Sequence, residues 1–150
     1  MAFSAPSLKG RALRLLSQRE HSRAELERKL ARHEEEPGSL ARALDELAAK
    51  DFISEARVVQ SVLHQRAPRL GAARVRQELQ AKGIAPEAVV EAVSGLQATE
   101  VERARALWQR RFDAPPSDAK ERARQARFLL ARGFAGATVA KVLRTGGDDD

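Results

Sequence analysis

The chain has 150 residues and a net charge of +6, with 27 Lys plus Arg, 21 Asp plus Glu, no cysteine and only 4% aromatic residues. Without cysteine, disulfide frameworks, cysteine-ligated zinc, iron–sulfur clusters and thiol nucleophiles are all excluded. Apolar runs are only a few residues long, and the N-terminal MAFSAPSLKG lacks the hydrophobic segment of a signal peptide. We therefore expect a cytoplasmic protein without a membrane-spanning segment.

The positive charge is concentrated in two blocks. Residues 56–90 carry +4 and residues 103–144 carry +8, whereas residues 19–55 and 91–102 carry −3 each. A strongly basic block attracts polyanions through counterion release, whatever their sequence. The alternative interpretation is an arginine-rich helical surface that contacts only solvent.

The sequence pattern predicts α-helices along nearly the whole chain. Ala, Leu, Arg, Glu and Gln dominate the sequence, apolar residues recur at spacings of three and four, and no segment alternates as a strand does. The pattern predicts nine helices, in chain order over residues 8–18, 22–33, 37–49, 54–67, 71–82, 86–97, 99–113, 118–132 and 136–144.

Local signals support the ends of several of these helices. Three pairs have the spacing of a capping box, namely Ser22 with Glu25, Thr99 with Glu102, and Asp118 with Glu121. Two prolines suit a first helical turn and two glycines suit a helix end that needs a left-handed residue; these are Pro37, Pro86, Gly83 and Gly133.

The apolar pattern repeats along the chain. A shift of 49 residues places Leu26 on Val75 and Pro37 on Pro86, and a further shift of 50 places Gly83 on Gly133. We therefore predict an all-α fold, an elongated tandem array of three helix-turn-helix-like, three-helix repeats. Their predicted bounds are 8–53, 54–97 and 98–144, followed by a disordered acidic tail at 145–150.

Nothing in the sequence indicates catalysis, a cofactor or a metal site. The three histidines lack metal-ligand spacing, and there is neither a nucleophile elbow nor a glycine-rich phosphate loop. We expect no enzymatic activity. Five aromatic residues are predicted to lie in the core because they occur at core spacing or beside turns: Phe52, Trp108, Phe112, Phe128 and Phe134.

The basic residues have a clearer pattern. Arg74 and Arg76 lie on a different helical face from the apolar residues around them, and Lys120, Arg124 and Arg127 form one helical stripe. Because arginine binds phosphate and carboxylate alike, either a nucleic acid or an acidic protein would fit such faces.

Four segments together carry a family resemblance. LLSQREHSRAELERKL, LDELAAKDFISEARVVQSVLHQR, GAARVRQELQAKGI and RQARFLLARGF occur in this order. Over about residues 10–143, the chain resembles the RecX family of regulatory proteins. It departs from that family after Phe52 and Ile53, where Ser54, Glu55 and Val58 replace the usual paired acids and aromatic residue.

The resemblance implies a monomeric, non-catalytic modulator of the RecA recombinase. Such a protein binds the RecA filament on single-stranded DNA and inhibits its ATP hydrolysis, strand exchange and co-protease activity. A match to the basic repeat positions gives the candidate residues for contacts with recombinase or DNA: Arg66, Arg69, Arg74, Arg76, Lys82, Arg110, Arg111, Lys120, Arg124, Arg127 and Arg132. The second hypothesis is an autonomous, sequence-independent DNA-binding module made of helical repeats.

Overall fold

The computed structural model describes residues 5–145, and in this range the chain is helical with no β-strand. Nine α-helices lie in the described range: α1 (Leu8–Gln18), α2 (Arg23–Leu30), α3 (Ser39–Ala49), α4 (Glu55–Arg66), α5 (Ala72–Ala81), α6 (Pro86–Gln97), α7 (Glu100–Arg111), α8 (Ala119–Ala131) and α9 (Gly136–Thr145). A short 3₁₀ helix, Ala31–His33, follows α2. The predicted all-α class is confirmed. Apart from Thr145, the predicted acidic tail lies outside the described residues.

Two of the three predicted helix starts have the expected side-chain caps. Ser22 and Glu25 form a complete capping box, in which each side chain is hydrogen-bonded to the backbone amide of the other residue. The Asp118 carboxylate accepts a hydrogen bond from the Glu121 amide at 2.8 Å. The prediction for Thr99 is wrong, because its hydroxyl donates to the carbonyl of Leu96 and does not cap α7.

The glycine and proline signals also have mixed outcomes. Gly83 and Gly133 have φ of 73° and 88°, as predicted for helix ends. Pro86 is in the first turn of α6, also as predicted. Pro37 is not in a first turn, because the left-handed Gly38 follows it and α3 begins only after that glycine. The start of α3 is thus offset by two residues from the prediction.

The first three helices enclose an apolar core of their own. Its buried members come from α1, α2 and α3: Ala12, Leu26, Leu30, Leu40, Leu44 and Leu47. Within α2 and α3 they recur at spacings of three and four, which places them on one face of each helix. Ile53, just beyond α3, packs against this core, whereas the neighbouring Phe52 does not lie in it. Phe52 is 46% exposed, so the prediction that it is a core residue is wrong.

A second core joins α7, α8 and α9. Its buried members include three aromatic residues predicted to be there, and the full set is Ala104, Trp108, Phe112, Leu129, Phe134, Val139, Val142 and Leu143. Phe128 packs against this core while remaining partly buried. Phe112 and Phe128 meet edge to face, with ring centroids 5.3 Å apart. The aromatic residues of the C-terminal part of the chain are therefore core residues, as the repeat pattern predicted.

The chain divides into two compact units, one formed by residues up to Ser61 together with Ala81–Ile84, and the other by the rest. In the first unit, the turn after α5 packs on α2. Lys82 Nζ lies 3.3 Å from Glu25 Oε2, and a Cβ added to Gly83 would lie 2.6 Å from that of Ala24. This turn therefore has room for a glycine and no larger residue.

Glu25 is a buried carboxylate in the same unit. It receives hydrogen bonds from Arg19 and Lys82 as well as from the Ser22 amide. Burial alone raises the pKa of Glu25, but these hydrogen bonds and the charge of Lys82 outweigh it and lower the pKa to about 2. Glu25 is thus a structural anion, stabilised in its charged form.

The second unit contains an equivalent close approach. The Gly71 amide donates to the carbonyl of Arg132 at 2.8 Å, and a Cβ on Gly71 would lie 2.3 Å from the Gly133 carbonyl oxygen. Arg74 Nη1 donates to the Ala131 carbonyl at 2.7 Å, near the end of α8. The start of α5 is therefore fixed against the turn between α8 and α9.

Glu100, the first residue of α7, is the polar centre of this unit. Its buried carboxylate accepts hydrogen bonds from the Ala72 amide at 2.8 Å, the Ala135 amide at 3.1 Å and the Thr138 hydroxyl at 2.8 Å. The positive ends of α5, α7 and α9 thus surround one negative charge. Burial favours a higher pKa for Glu100, but the hydrogen bonds and the nearby charge of Arg103 prevail and the pKa is lowered.

Arg103, one turn further along α7, completes this junction. Its guanidinium donates to the carbonyls of Ala67, Leu70 and Leu96, at 2.8 to 2.9 Å. These carbonyls lie near the ends of α4 and α6, where the backbone has lost its helical partners. Glu100 therefore accepts hydrogen bonds from groups at helix starts, and Arg103 donates hydrogen bonds to carbonyls at helix ends, around the first turn of α7.

Candidate functional site

Four of the predicted basic residues line one cleft beside the loop that joins α7 to α8. The cleft has a volume of about 620 Å³, and Arg111, Lys120, Arg124 and Arg127 all contribute to its wall. Three acidic residues also line it: Asp113, Asp118 and Glu121. The structure therefore brings Arg111 together with the predicted stripe of Lys120, Arg124 and Arg127, in a concave site that also contains acidic side chains.

The shape of the cleft depends on Gln125, which is buried in α8. Its Oε1 accepts a hydrogen bond from the Trp108 indole at 2.8 Å, and its Nε2 donates to the Ala114 carbonyl at 3.1 Å and to Glu121 at 3.0 Å. Gln125 thus ties the loop to α7 and α8 at once. Sequence reasoning missed this residue, because a glutamine between arginines in a helix resembles a surface position.

Aromatic rings support several of the arginines. The guanidinium carbons of Arg111 and Arg124 lie 5.2 Å and 5.1 Å from the centroid of the Phe112 ring. Arg132 lies closer, 3.8 Å from the centroid of Phe128, and also donates to the Phe128 carbonyl. Contacts of this kind contribute about 0.5–1 kcal/mol each at exposed sites. The Phe112 ring thus helps to hold Arg111 and Arg124 in position beside the cleft, whereas Phe128 and Arg132 are not part of its lining.

Arg124 already has an anionic partner inside the cleft. It forms two hydrogen bonds with the carboxylate of Glu121, at 3.0 and 3.1 Å. These bonds raise the pKa of Arg124 and lower the pKa of Glu121. Lys120 and Arg127 are exposed and have no ion pair with any carboxylate in the described part of the chain. They are therefore the cations most available to an incoming anion.

The remaining candidates are spread more widely. Arg66 is paired with Glu78 at 2.9 Å, while Arg69, Arg76 and Arg110 are exposed. Lys82 is largely buried against Glu25, so its ammonium group has a structural partner. Two further candidates, Arg74 and Arg132, lie near the end of α8. Arg74 donates to the carbonyl of Ala131, whose next neighbour in the chain is Arg132.

The polar residues that sequence reasoning missed are buried ones. Glu100, Arg103 and Gln125 each bind backbone groups from other elements. Nothing in one sequence distinguishes such residues from the charged and amide side chains on the outside of the same helices.

In residues 5–145, no His, Asp and Glu side chains group together in a way that would hold a metal ion. No helix of this range has the length and apolar character of a membrane span.

Comparison with known proteins identifies three consecutive matches to family models. The first, second and third three-helix domains of RecX match residues 9–47, 54–93 and 98–143, respectively. This order confirms the predicted tandem of three three-helix domains.

Full-length relatives give the same result. The chain is 56% identical to Regulatory protein RecX of Leptothrix cholodnii over 146 residues, which cover 96% of this chain and 93% of the relative. It is 49% identical to Regulatory protein RecX of Ralstonia nicotianae, covering 92% of this chain and 87% of the relative.

Solved structures agree in fold. A crystal structure of RecX from Lactobacillus salivarius is similar, with a TM-score of 0.73 and 20% identity, covering 91% of this chain and 92% of the other. A second crystal structure, of a regulatory protein RecX, has a TM-score of 0.74 and 19% identity, covering 91% of this chain and 71% of the other. By its three family-model matches and its relatives' sequences, the chain belongs to the RecX family of regulatory proteins.

Proposed function

We propose that this chain binds the RecA recombinase filament on single-stranded DNA and inhibits its ATP hydrolysis, strand exchange and co-protease activity. Its membership of a family of regulatory proteins supports a regulatory role. The observation that carries the proposal furthest is the cleft beside the loop between α7 and α8, where four of the predicted basic side chains come together. Its exposed cations suit binding to an anionic surface, and we assign it no catalytic chemistry.

The arginines can serve such a protein in two ways. A planar guanidinium forms paired hydrogen bonds with recombinase carboxylates or with DNA phosphates. Because a filament presents both kinds of group, a basic surface would add contacts along it without recognising any base. In this proposal the protein acts as a monomer without a cofactor. We also propose that it acts in the cytoplasm, because bacteria such as those of its relatives keep their chromosomal DNA there.

The test is the ATPase activity of RecA on single-stranded DNA, measured as the protein is added. Arg127→Glu is the informative variant, because Arg127 lines the cleft and is exposed. Arg122→Glu is its matched control, since Arg122 is also exposed on α8 but does not line the cleft. We expect Arg127→Glu to weaken inhibition at least tenfold, which corresponds to about 1.4 kcal/mol. We expect Arg122→Glu to change it by less than about threefold.

Two results would contradict this proposal. One is an unchanged ATPase rate at a large excess of the unaltered protein. The other is equal inhibition by the two variants, which would remove the cleft from the contact surface.

An autonomous, sequence-independent DNA-binding module is the second candidate. The exposed arginines Arg69, Arg76 and Arg110 favour this candidate, because such residues bind phosphate without a partner protein. This candidate predicts tight binding to DNA in the absence of recombinase, with an affinity that falls steeply as salt rises. The absence of binding at low salt would exclude it.

A further inference from the structure

The first domain contains a basic cleft of its own, which its overall charge conceals. The cleft has a volume of about 420 Å³ and lies between α1 on one side and α2 with the 3₁₀ helix on the other. Arg11 and Arg14 come from α1, and Lys29, Arg32 and His33 from the opposite wall. No carboxylate is among the residues that line it. The cleft is therefore basic on both sides.

Spacing along the helices explains why these residues meet. Arg11, Arg14 and Gln18 are three and then four residues apart, so they follow one stripe of α1. Lys29 and Arg32 are three apart on the facing wall. Two rows of donors thus run beside the cleft, whereas its apolar lining comes from Pro6, Leu15 and Leu30.

Several acids of this domain have partners away from the cleft, so they do not neutralise it. Glu25 binds Arg19 and Lys82, Glu27 binds Arg23, and the Lys9 ammonium pairs with Glu46. Within residues 5–145, no ion pair joins the guanidinium of Arg11, Arg14 or Arg32 to a carboxylate. A negative sum over residues 19–55 is thus compatible with a positive cleft.

The cationic side chains of the cleft also act on His33, which lines it. Partial burial and the charges of Arg11 and Arg32 together lower the pKa of His33. The ring nitrogen Nε2 of His33 accepts a hydrogen bond from Arg32 Nε at 3.3 Å, as a neutral imidazole does.

We propose that this cleft binds the phosphodiester backbone of single-stranded nucleic acid, independently of base sequence. The choice of nucleic acid rests on the proposed function, whereas the site and its anionic ligand rest on the cleft itself. Two rows of cations match a chain that carries one negative charge at every step. An acidic protein segment is a poorer match, because protein surfaces mix both signs of charge and this cleft provides no anion for a partner's cations. No aromatic residue lines the cleft, so base stacking supplies none of the affinity.

The experiment measures binding of a fluorescein-labelled oligothymidylate to the full chain, without recombinase, between about 50 and 200 mM salt. The variant is Arg14→Gln with Arg32→Gln, which removes one cation from each wall. Its matched control is Arg42→Gln with Lys50→Gln, two exposed residues of the same domain that do not line the cleft. Both variants lower the net charge by the same amount, so long-range attraction falls equally in the two proteins.

We expect the cleft variant to reduce the salt slope of log affinity by about 1.4, because each lost phosphate contact on a single strand contributes about 0.7. The control retains the slope of the unaltered chain. Far-UV circular dichroism checks the helicity of each variant. If the double variant loses helicity, Arg14→Gln alone is the readout, with an expected reduction of about 0.7.

Three outcomes overturn the inference. The first is an equal slope in the cleft variant and the control. The second is displacement of the labelled oligonucleotide by polyglutamate as readily as by unlabelled oligothymidylate, which would assign the cleft to acidic protein. The third is no binding by the unaltered chain at low salt. Inhibition of the RecA ATPase is measured separately, so the proposed function can survive any of these results.

Discussion

Replacing Glu100 by glutamine tests whether one buried carboxylate holds α5, α7 and α9 together. The carboxylate accepts three hydrogen bonds, from the amides of Ala72 and Ala135 and the hydroxyl of Thr138. Glutamine has nearly the same shape, but it offers a single acceptor oxygen and turns an NH₂ group toward donors. The substitution therefore changes the hydrogen bonding and the charge while leaving the packing almost unaltered.

The expected cost follows from these contacts. A hydrogen bond to a charged group contributes about 1.5–3 kcal/mol, and a buried donor left without an acceptor costs about 1–3 kcal/mol. Losing one such bond and leaving one donor unmatched lowers the free energy of unfolding by about 2.5–6 kcal/mol, before any loss of attraction to the three helix dipoles. Because a domain typically has about 5–15 kcal/mol in total, the effect is large.

Urea unfolding followed by far-UV circular dichroism measures this cost. Glu102→Gln is the matched control, because Glu102 is in the first turn of the same helix but is exposed. Its loss should cost at most about 1 kcal/mol, the size of a surface dipole interaction. If Glu100→Gln and Glu102→Gln shift the unfolding midpoint equally, the buried carboxylate does not hold the three helices, and the reasoning is refuted.

Four further substitutions test the stability of the fold. Gly71→Ala should lower the free energy of unfolding by about 2 kcal/mol or more, since its Cβ would overlap the backbone at Gly133. Gly95→Ala, with no atom near its added Cβ, should raise that free energy by about 0.5–1 kcal/mol, and equal urea midpoints for the two variants would contradict this. The pKa of Glu25 is lowered from 4.5 to about 2. The ionised carboxylate therefore stabilises the fold fully above pH 4.5, and this stabilisation, about 3 kcal/mol in total, is lost as the pH falls toward 2. Lys82→Met should shrink this acid-dependent loss in urea titrations across that range, and an unchanged pH profile would argue against the pair. Gln125→Leu should cost about 3 kcal/mol in urea unfolding, because the Trp108 indole and the Ala114 carbonyl lose their partner; a loss below about 1 kcal/mol would show that Gln125 does not secure the loop.

The sequence predicted the elements better than their junctions. The spacing of apolar residues predicted all nine helices of the described range, because burial of one face imposes that spacing. Phe52 was misplaced because the pattern ignores the turn after α3, where Asp51 has a φ of 66° and Phe52 follows it at the surface. Thr99 was misassigned because its hydroxyl has a competing partner, the carbonyl of Leu96, which only the folded backbone brings within reach.

The candidate site was predictable in part. The helical stripe of Lys120, Arg124 and Arg127 was visible as a spacing, and all three residues line the cleft beside the loop between α7 and α8. The pairing of Arg124 with Glu121 was not predicted, because a sum of charges does not say which acidic residue lies beside which basic residue. The first-domain cleft was hidden for the same reason. Its basic residues are brought together by α1, α2 and the 3₁₀ helix, whereas several of the acids that offset them in the sum have partners elsewhere.

The pairing of Glu121 with Arg124 has a consequence for how salt dependence should be interpreted. Glu121 acts as a tethered counterion, which stays attached to the protein when a phosphate takes its place on Arg124. A phosphate that binds Arg124 still releases the cations condensed on the nucleic acid, but it must also displace Glu121. The contact at Arg124 therefore counts fully in the salt slope while adding less to affinity than an unpaired arginine would, and Glu121→Gln should raise affinity without changing the slope.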